Sequence, residues 1–178
     1  MTKKIFPLSE VYGLLEPGPV VLVTTALDKR TNIMAMSWHT MLEFEPPLVG
    51  CVISSDSYSF GLLKASGECG INIPSVEIAK KVVGCGNTSG ADTDKFGMFS
   101  LTPVPATNIR SPLIDECFAN LECIVTDTTM VEKYCFFILE VTQAWIDPDV
   151  KKPRTIHHLG RGNFMFGGKR LKLQSDVR

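Results

Sequence analysis

The sequence lacks most of the signatures by which a chain declares its chemistry. No GxSxG, HExxH, GxxxxGK[ST] or GxGxxG motif occurs, and Gly84-Cys85-Gly86 followed by Gly90 has the wrong spacing for a dinucleotide fingerprint. The familiar hydrolase, P-loop and Rossmann readings therefore fall away. Histidine is scarce, with three in 178 residues. The six cysteines, Cys51, Cys69, Cys85, Cys117, Cys123 and Cys135, include no CxxC pair, so neither a zinc site nor a thioredoxin-like motif is expected. Several lie in apolar stretches, which reads as buried, reduced thiols, and no metal site is assigned. No run of about 18 apolar residues occurs, and the N-terminal lysines are not followed by an apolar stretch of signal-peptide length. A cytoplasmic protein without a membrane partner is expected. An excess of either charge is also missing: 18 Lys and Arg stand against 19 Asp and Glu, a net charge of −1. That balance offers little attraction to nucleic acid or anionic lipid.

What is present reads as one globular domain over residues 1–178, with residues 148–178 as a C-terminal extension; a hydrophobic fraction of 44% and a charged fraction of 21% suit an ordinary core. Residues 18–27 are rich in valine and threonine and run into a polar turn over 28–32, after which apolar residues resume, the pattern of a β-hairpin. Pro46-Pro47 interrupts the chain before a strand over 48–54. A helix is predicted over 57–65 with Asp56 or Ser57 as its cap, a strand over 68–73, and a second helix from Ser75, closed by Gly84. Residues 85–91 and 102–112 read as loops around one short helical turn within 92–99. Two long strands follow over 121–126 and 134–145, joined by a turn near 128–132, with Phe137, Leu139 and Val141 in strict alternation. The last twenty residues are basic and left unassigned. Six or more short strands with inserted helices, and no regular βαβ alternation, predict an antiparallel barrel.

One segment breaks the apolar pattern of an interior strand: Asn32, Ile33, Met34, Ala35, Met36, Ser37, Trp38, His39, Thr40. Either Met34 and Trp38 are core and the polar residues face water, or the segment is the edge of a ligand site. A flat heterocycle needs an apolar wall and a few hydrogen-bonding groups at its rim, and Trp38 with Ser37 and Thr40 supplies such a set. The start of the first predicted helix carries Ser54, Ser55, Asp56, Ser57, Tyr58 and Ser59. Helix-start N–H groups and clustered hydroxyls suit a phosphate, and capping alone uses one or two of these hydroxyls. Asp56 repels a phosphate unless it points away.

The run NIMAMSWHTMLEFEPPLVGCVISSDSYSFGLL, then ECGINIPS, then CGNTSGADTDKF followed by LTPVPA, resembles the flavin reductase-like family of FMN-binding split barrels, which includes flavoredoxins. The resemblance spans about residues 10–147 in one order and at similar spacing. It implies a mainly β fold with short helices, an antiparallel Greek-key split β-barrel, forming a homodimer with FMN near the subunit interface. It further implies that Asn32, Met34, Ala35, Met36, Ser37, Trp38, His39 and Thr40 line the flavin ring. Ser54, Ser57, Tyr58 and Ser59 would lie on the phosphate side and Asn72 near the flavin, while Lys95 gives charge to the phosphate or flavin rim and Phe96 packs beside it. His158, just before the glycine-containing tail, approaches the flavin. Relatives often carry Arg or Pro where this chain has Ser55-Asp56, which redistributes the phosphate contacts. The implied activity is an FMN-binding oxidoreductase passing electrons from NADH or NADPH to flavin, ferric iron or another acceptor. Without a Rossmann motif, a nicotinamide has to stack directly on the flavin. Two alternatives stay open: a carrier fed by a protein electron donor, and a non-catalytic flavin- or haem-binding module.

Overall fold

The computed structural model describes residues 18–169, together with Pro7 and Leu14. The first strand, β1 (Val21–Leu27), turns through Asp28-Lys29 into β2 (Arg30–Met36). The turn is shorter than the five residues expected. Leu27 pairs with Arg30, and Asp28 takes the left-handed conformation (φ 54°) that a two-residue hairpin needs and Asp tolerates. Arg30 and Thr31 are exposed yet belong to the strand, which is why their polarity disguised it. After Ser37-Trp38 come β3 (His39–Phe44) and β4 (Pro47–Val52), so the first third of the chain holds four strands where three were expected.

The predicted helix is α1 (Tyr58–Ser66), capped by the Ser57 hydroxyl, which accepts from the Ser59 N–H, and closed by Gly67 at φ 70°. Then follow β5 (Glu68–Ile73), where the sequence placed it, a 3-10 turn (Val76–Ile78) and α2 (Ala79–Asn87). Gly84 does not end α2. A Cβ there would stand 2.4 Å from the Phe99 ring, so this glycine admits a neighbour's ring against the helix rather than breaking it. Next come α3 (Lys95–Met98), the short pair β6 (Pro103–Val104) and β7 (Leu113–Ile114), and β8 (Ala119–Asp127). The expected turn near 128–132 runs into a helical turn, α4 (Val131–Tyr134), so β9 (Phe136–Ile146) starts two residues later than expected. A hairpin of β10 (Ile156–Gly160) and β11 (Asn163–Phe166) follows; residues 170–178 of the unassigned tail lie outside the described residues.

Seven strands make one antiparallel sheet in the order β2-β1-β5-β8-β9-β4-β3. Its two edge strands, β2 and β3, are separated in the chain by Ser37 and Trp38 alone. A two-residue link spans about 10 Å at most, so the sheet must curl until its edges nearly meet. The result is a barrel split between β2 and β3.

Two apolar clusters flank β1, which accounts for its unbroken burial. Val21, Val23, Met36, Val49, Cys51, Cys69, Ile71, Cys123, Phe137 and Leu139 fill the barrel, joined by Leu63 of α1 and Val131 of α4. Outside it, Val20, Leu22 and Ile33 pack with Val82 and Cys85 of α2, Phe96, Ile114 and Ile156. All six cysteines are free and five are buried, as their apolar surroundings predicted. Burial pushes the Cys51 thiol up to about 12 and Cys85 up to about 11, which keeps both protonated and unreactive at neutral pH. Among the described residues no helix is long and apolar enough to cross a membrane, and no cluster of His, Cys, Asp and Glu could hold a metal ion.

Candidate functional site

Because β2 is an edge strand, one side of its backbone has no neighbouring strand among the described residues. Ile33 turns its carbonyl that way, and by the two-residue alternation of an antiparallel pair the Ala35 N–H and C=O turn with it. Three adjoining hollows lie along this edge, and their shared residues make them one continuous cleft.

The first hollow, about 320 Å³, lies between the start of α1 and the end of α2. Asn32, Met34, Asp56, Ser57, Tyr58, Ser59 and Lys95 line it, opposite the segment Gly86, Asn87, Thr88, Ser89, Gly90. Asn32 is buried, and its Nδ2 donates to the Ser59 hydroxyl at 2.7 Å. Its Oδ1 has no hydrogen-bond partner among the described residues. Leaving a buried amide oxygen unmatched costs about 1–3 kcal/mol, so this end of the side chain is poised for a donor. The Ser57 hydroxyl reaches the Met34 sulfur at 3.2 Å, lacing α1 to β2. Gly90 closes the wall: a Cβ there would stand 1.8 Å from Asn32 Oδ1, so the loop reaches this near only as glycine.

Lys95 is 5% exposed and has no carboxylate partner among the described residues. Its ammonium donates to the carbonyls of Ile33 (2.7 Å) and Cys85 (2.8 Å), which ties α3 to the β2 edge and to α2. Burial lowers its pKa, while the Cys85 thiol beside it pulls the other way. A buried cation satisfied only by dipoles is an incomplete electrostatic arrangement that an anion would complete.

The second hollow, about 560 Å³, is the mouth of the split barrel. Met34, Met36, Ser37 and Trp38 line one side, and Ser54, Lys133, Tyr134 and Cys135 the other. Trp38 is 48% exposed and Tyr134 56%, two aromatic surfaces at one opening. The third hollow, about 310 Å³, sits under the C-terminal hairpin and is lined by Val20, Ala35, Ser37, Val82, His158 and Phe164. The His158 ring lies 5.1 Å from that of Phe164.

The structure thus gathers Asn32, Met34, Ala35, Met36, Ser37, Trp38, Ser54, Ser57, Tyr58, Ser59, Lys95 and His158 around one cleft. Four expected site residues stand apart from it. The His39 ring is held on the Pro19 carbonyl at 2.7 Å, and the exposed Thr40 hydroxyl bonds the Met41 carbonyl at 3.2 Å. Phe96 is packed in the outer apolar cluster. Asn72 has both ends of its amide satisfied: Nδ2 donates to Leu22 O and Thr24 Oγ1, and Oδ1 accepts from Ile114 N and Asn120 Nδ2. It knits β1, β5, β7 and β8 together and lines none of the three hollows. The sequence reading missed Asn87, Thr88, Ser89 and Gly90, whose run it took for a loop. The hydroxyls of Thr88 and Ser89 share the hydroxyl clustering of Ser54 to Ser59 but stand at a helix end rather than a helix start. Lys133, Tyr134 and Cys135 carried no such signal, being brought to the mouth by strand pairing alone.

Comparison with known proteins places this geometry among relatives. The family model described as a flavin reductase like domain matches residues 14–164. An uncharacterised protein of Escherichia coli K12, YddH, is 36% identical over 172 residues, covering 89% of this chain and 91% of that one. Among solved structures, an FMN-binding domain of a flavin reductases-like enzyme from Shewanella baltica superposes with a TM-score of 0.83 at 26% identity, covering 95% of this chain and 96% of that one. A flavoredoxin from Methanosarcina acetivorans does so with a TM-score of 0.80 at 25% identity, covering 99% and 96%.

Proposed function

The chain belongs to the flavin reductase-like family, and on that premise we propose that it binds FMN in the cleft along β2 and is an oxidoreductase taking electrons from NADH or NADPH. The observation that carries this reading is the first hollow, where the unmatched Asn32 amide, the Ser57 and Ser59 hydroxyls and the Lys95 ammonium converge. These groups fit a phosphorylated polyol. Hydroxyls of a ribityl chain would satisfy Asn32 Oδ1, and a phosphate would complete the charge of Lys95 and meet the helix-start N–H groups of α1. Met34, Met36 and Trp38 continue the same wall into an apolar, aromatic surface suited to a flat ring. The FMN-binding Shewanella protein and the Methanosarcina flavoredoxin support the choice of flavin over another planar phosphate.

Bound FMN supplies the electron transfer itself. The work of this chain is binding, orientation and access. Backbone groups of Ala35 at the free edge of β2 can fix the rim of a heterocycle, and the wide mouth between Trp38 and Tyr134 admits a second planar molecule for direct stacking. A homodimer belongs to the same proposal: β3 is an edge strand with exposed Met41, Leu42 and Phe44, an apolar row that a second copy would cover. Phe44→Glu should then shift the molar mass measured by light scattering toward the monomer.

The deciding measurement is the visible spectrum of the purified protein with FMN, before and after anaerobic NADH and then NADPH. Bleaching of a bound flavin spectrum supports the proposal. Bound flavin that stays oxidised with both nucleotides assigns the electrons to a protein donor, and absence of FMN binding removes the reading. Trp38→Ala and Lys95→Ala should each weaken FMN binding; unchanged affinity in both would mean the cleft is wrongly assigned.

A further inference from the structure

Side chains of a strand alternate between faces, so Arg30, Asn32, Met34 and Met36 stand in one row on β2, on the face that carries the barrel core. Three of the four touch the cap and first turn of α1. Met34 Sδ meets the Ser57 hydroxyl at 3.2 Å, Asn32 Nδ2 the Ser59 hydroxyl at 2.7 Å, and the Arg30 guanidinium the Tyr58 hydroxyl at 3.5 Å. The row runs from apolar sulfur at the barrel mouth through an amide to a cation at the outer end. This is the polarity sequence of a ring, a polyol and a phosphate.

Charge gives Arg30 its significance. Of the ionisable residues lining the first hollow, Lys95 and Asp56 are opposite in sign and cancel. A phosphomonoester close to doubly charged would meet no net positive charge there. Arg30 is exposed, takes part in none of the ion pairs among the described residues, and hydrogen-bonds to Tyr58, itself part of the hollow's wall. Its planar fork can grip two phosphate oxygens, which the Lys95 ammonium, already donating to two carbonyls, cannot do.

We propose that Arg30 is the specificity-determining residue of this cleft, the group by which the protein prefers a phosphorylated flavin over its unphosphorylated form. The inference rests on the flavin reading above and extends it to a residue that lies outside the site drawn from the sequence.

The test is a pair of fluorescence titrations, with FMN and with riboflavin, on the full-length wild-type protein and on Arg30→Ala and Arg30→Lys. Wild type should bind FMN more tightly than riboflavin. Arg30→Ala should lose about tenfold in FMN affinity, with riboflavin affinity unchanged. Arg30→Lys should recover part of the loss, because charge is restored without the fork. Raising salt should weaken FMN binding more steeply in wild type than in Arg30→Ala. An unchanged ratio of FMN to riboflavin affinity in Arg30→Ala overturns the proposal while the flavin site stands, and so does a wild type that treats the two ligands alike. A wild type that binds neither flavin takes the underlying reading with it. Arg30 is exposed at a hairpin end, so the variants should keep the wild-type far-UV spectrum. A parallel loss of both ligands would assign Arg30 to the fold instead.

Discussion

Asn32 and Asn72 are both buried asparagines on strands of the same sheet, and their hydrogen bonds divide them. Asn72, on interior strand β5, spends both ends of its amide on four protein partners. Asn32, on edge strand β2, spends its donor end on Ser59 and leaves its oxygen unmatched. A satisfied buried amide holds a fold together, whereas an orphaned one is a cost that a ligand can remove. The family resemblance placed both residues near flavin. The hydrogen bonds assign one to the cleft and the other to the barrel.

Asn72→Ala should separate the two asparagines most widely. It would strand the Ile114 N–H and the Leu22 carbonyl in a dry interior, at a cost of about 3 kcal/mol or more. The urea midpoint should fall accordingly, while the folded fraction binds FMN as wild type does. Weakened FMN binding at unchanged stability would reverse the roles given to the two residues.

Gly90→Ala should have the next largest effect, because its Cβ would strike Asn32 Oδ1. Relieving such a clash by shifting a packed loop costs about 1–3 kcal/mol. The double variant Gly90→Ala with Asn32→Ala removes the atom that is struck, so it should be more stable than the sum of the single effects. Additive losses in a double-mutant cycle would show that the loop does not close on Asn32 in solution.

Asn32→Ala alone should change stability by less than about 1 kcal/mol, since one hydrogen bond is lost and one unmatched oxygen goes with it. FMN affinity should fall about tenfold, close to 1.4 kcal/mol. Equal losses of stability and affinity would make Asn32 a second Asn72.

What the sequence revealed follows the same division. The cap at Asp56 or Ser57, the strand at Glu68–Ile73 and the alternation in β9 are local signals, and each element forms, with Ser57 taking the cap. The hydroxyl cluster at the start of α1 is also a local signal, and Ser57, Tyr58 and Ser59 of it line the first hollow. Contacts between elements distant in sequence were not legible. Gly84 reads as a helix stop until the Phe99 ring is seen against it, and Asn72 reads as a ligand residue until Ile114 and Asn120 arrive from the chain some 42 to 48 residues later. Lys95 is the instructive middle case. From sequence it is a surface lysine unless a family pattern says otherwise, and its burial depends on carbonyls 10 and 62 residues away.

Lys95 also gives the smallest and most specific prediction, because it donates to the carbonyl of Ile33, the residue beside Asn32. Burial lowers its pKa below the ordinary 10.5, so between the lowered value and 10.5 the unfolded chain holds more protons at this site than the native one. Stability of the flavin-free protein should therefore rise with pH across that window. A bound phosphate favours the ammonium and pulls the pKa back up, so proton uptake accompanies binding and FMN affinity should fall as pH rises through the same window. The fall is read by fluorescence titration as pH is raised toward 10.5. Lys95→Met removes this proton linkage, so its profile carries only the ligand's own ionisation, and the difference between the two profiles isolates Lys95. If the profiles run parallel, the ammonium serves Ile33 and Cys85 alone, and the charge that meets the phosphate comes from elsewhere on the cleft.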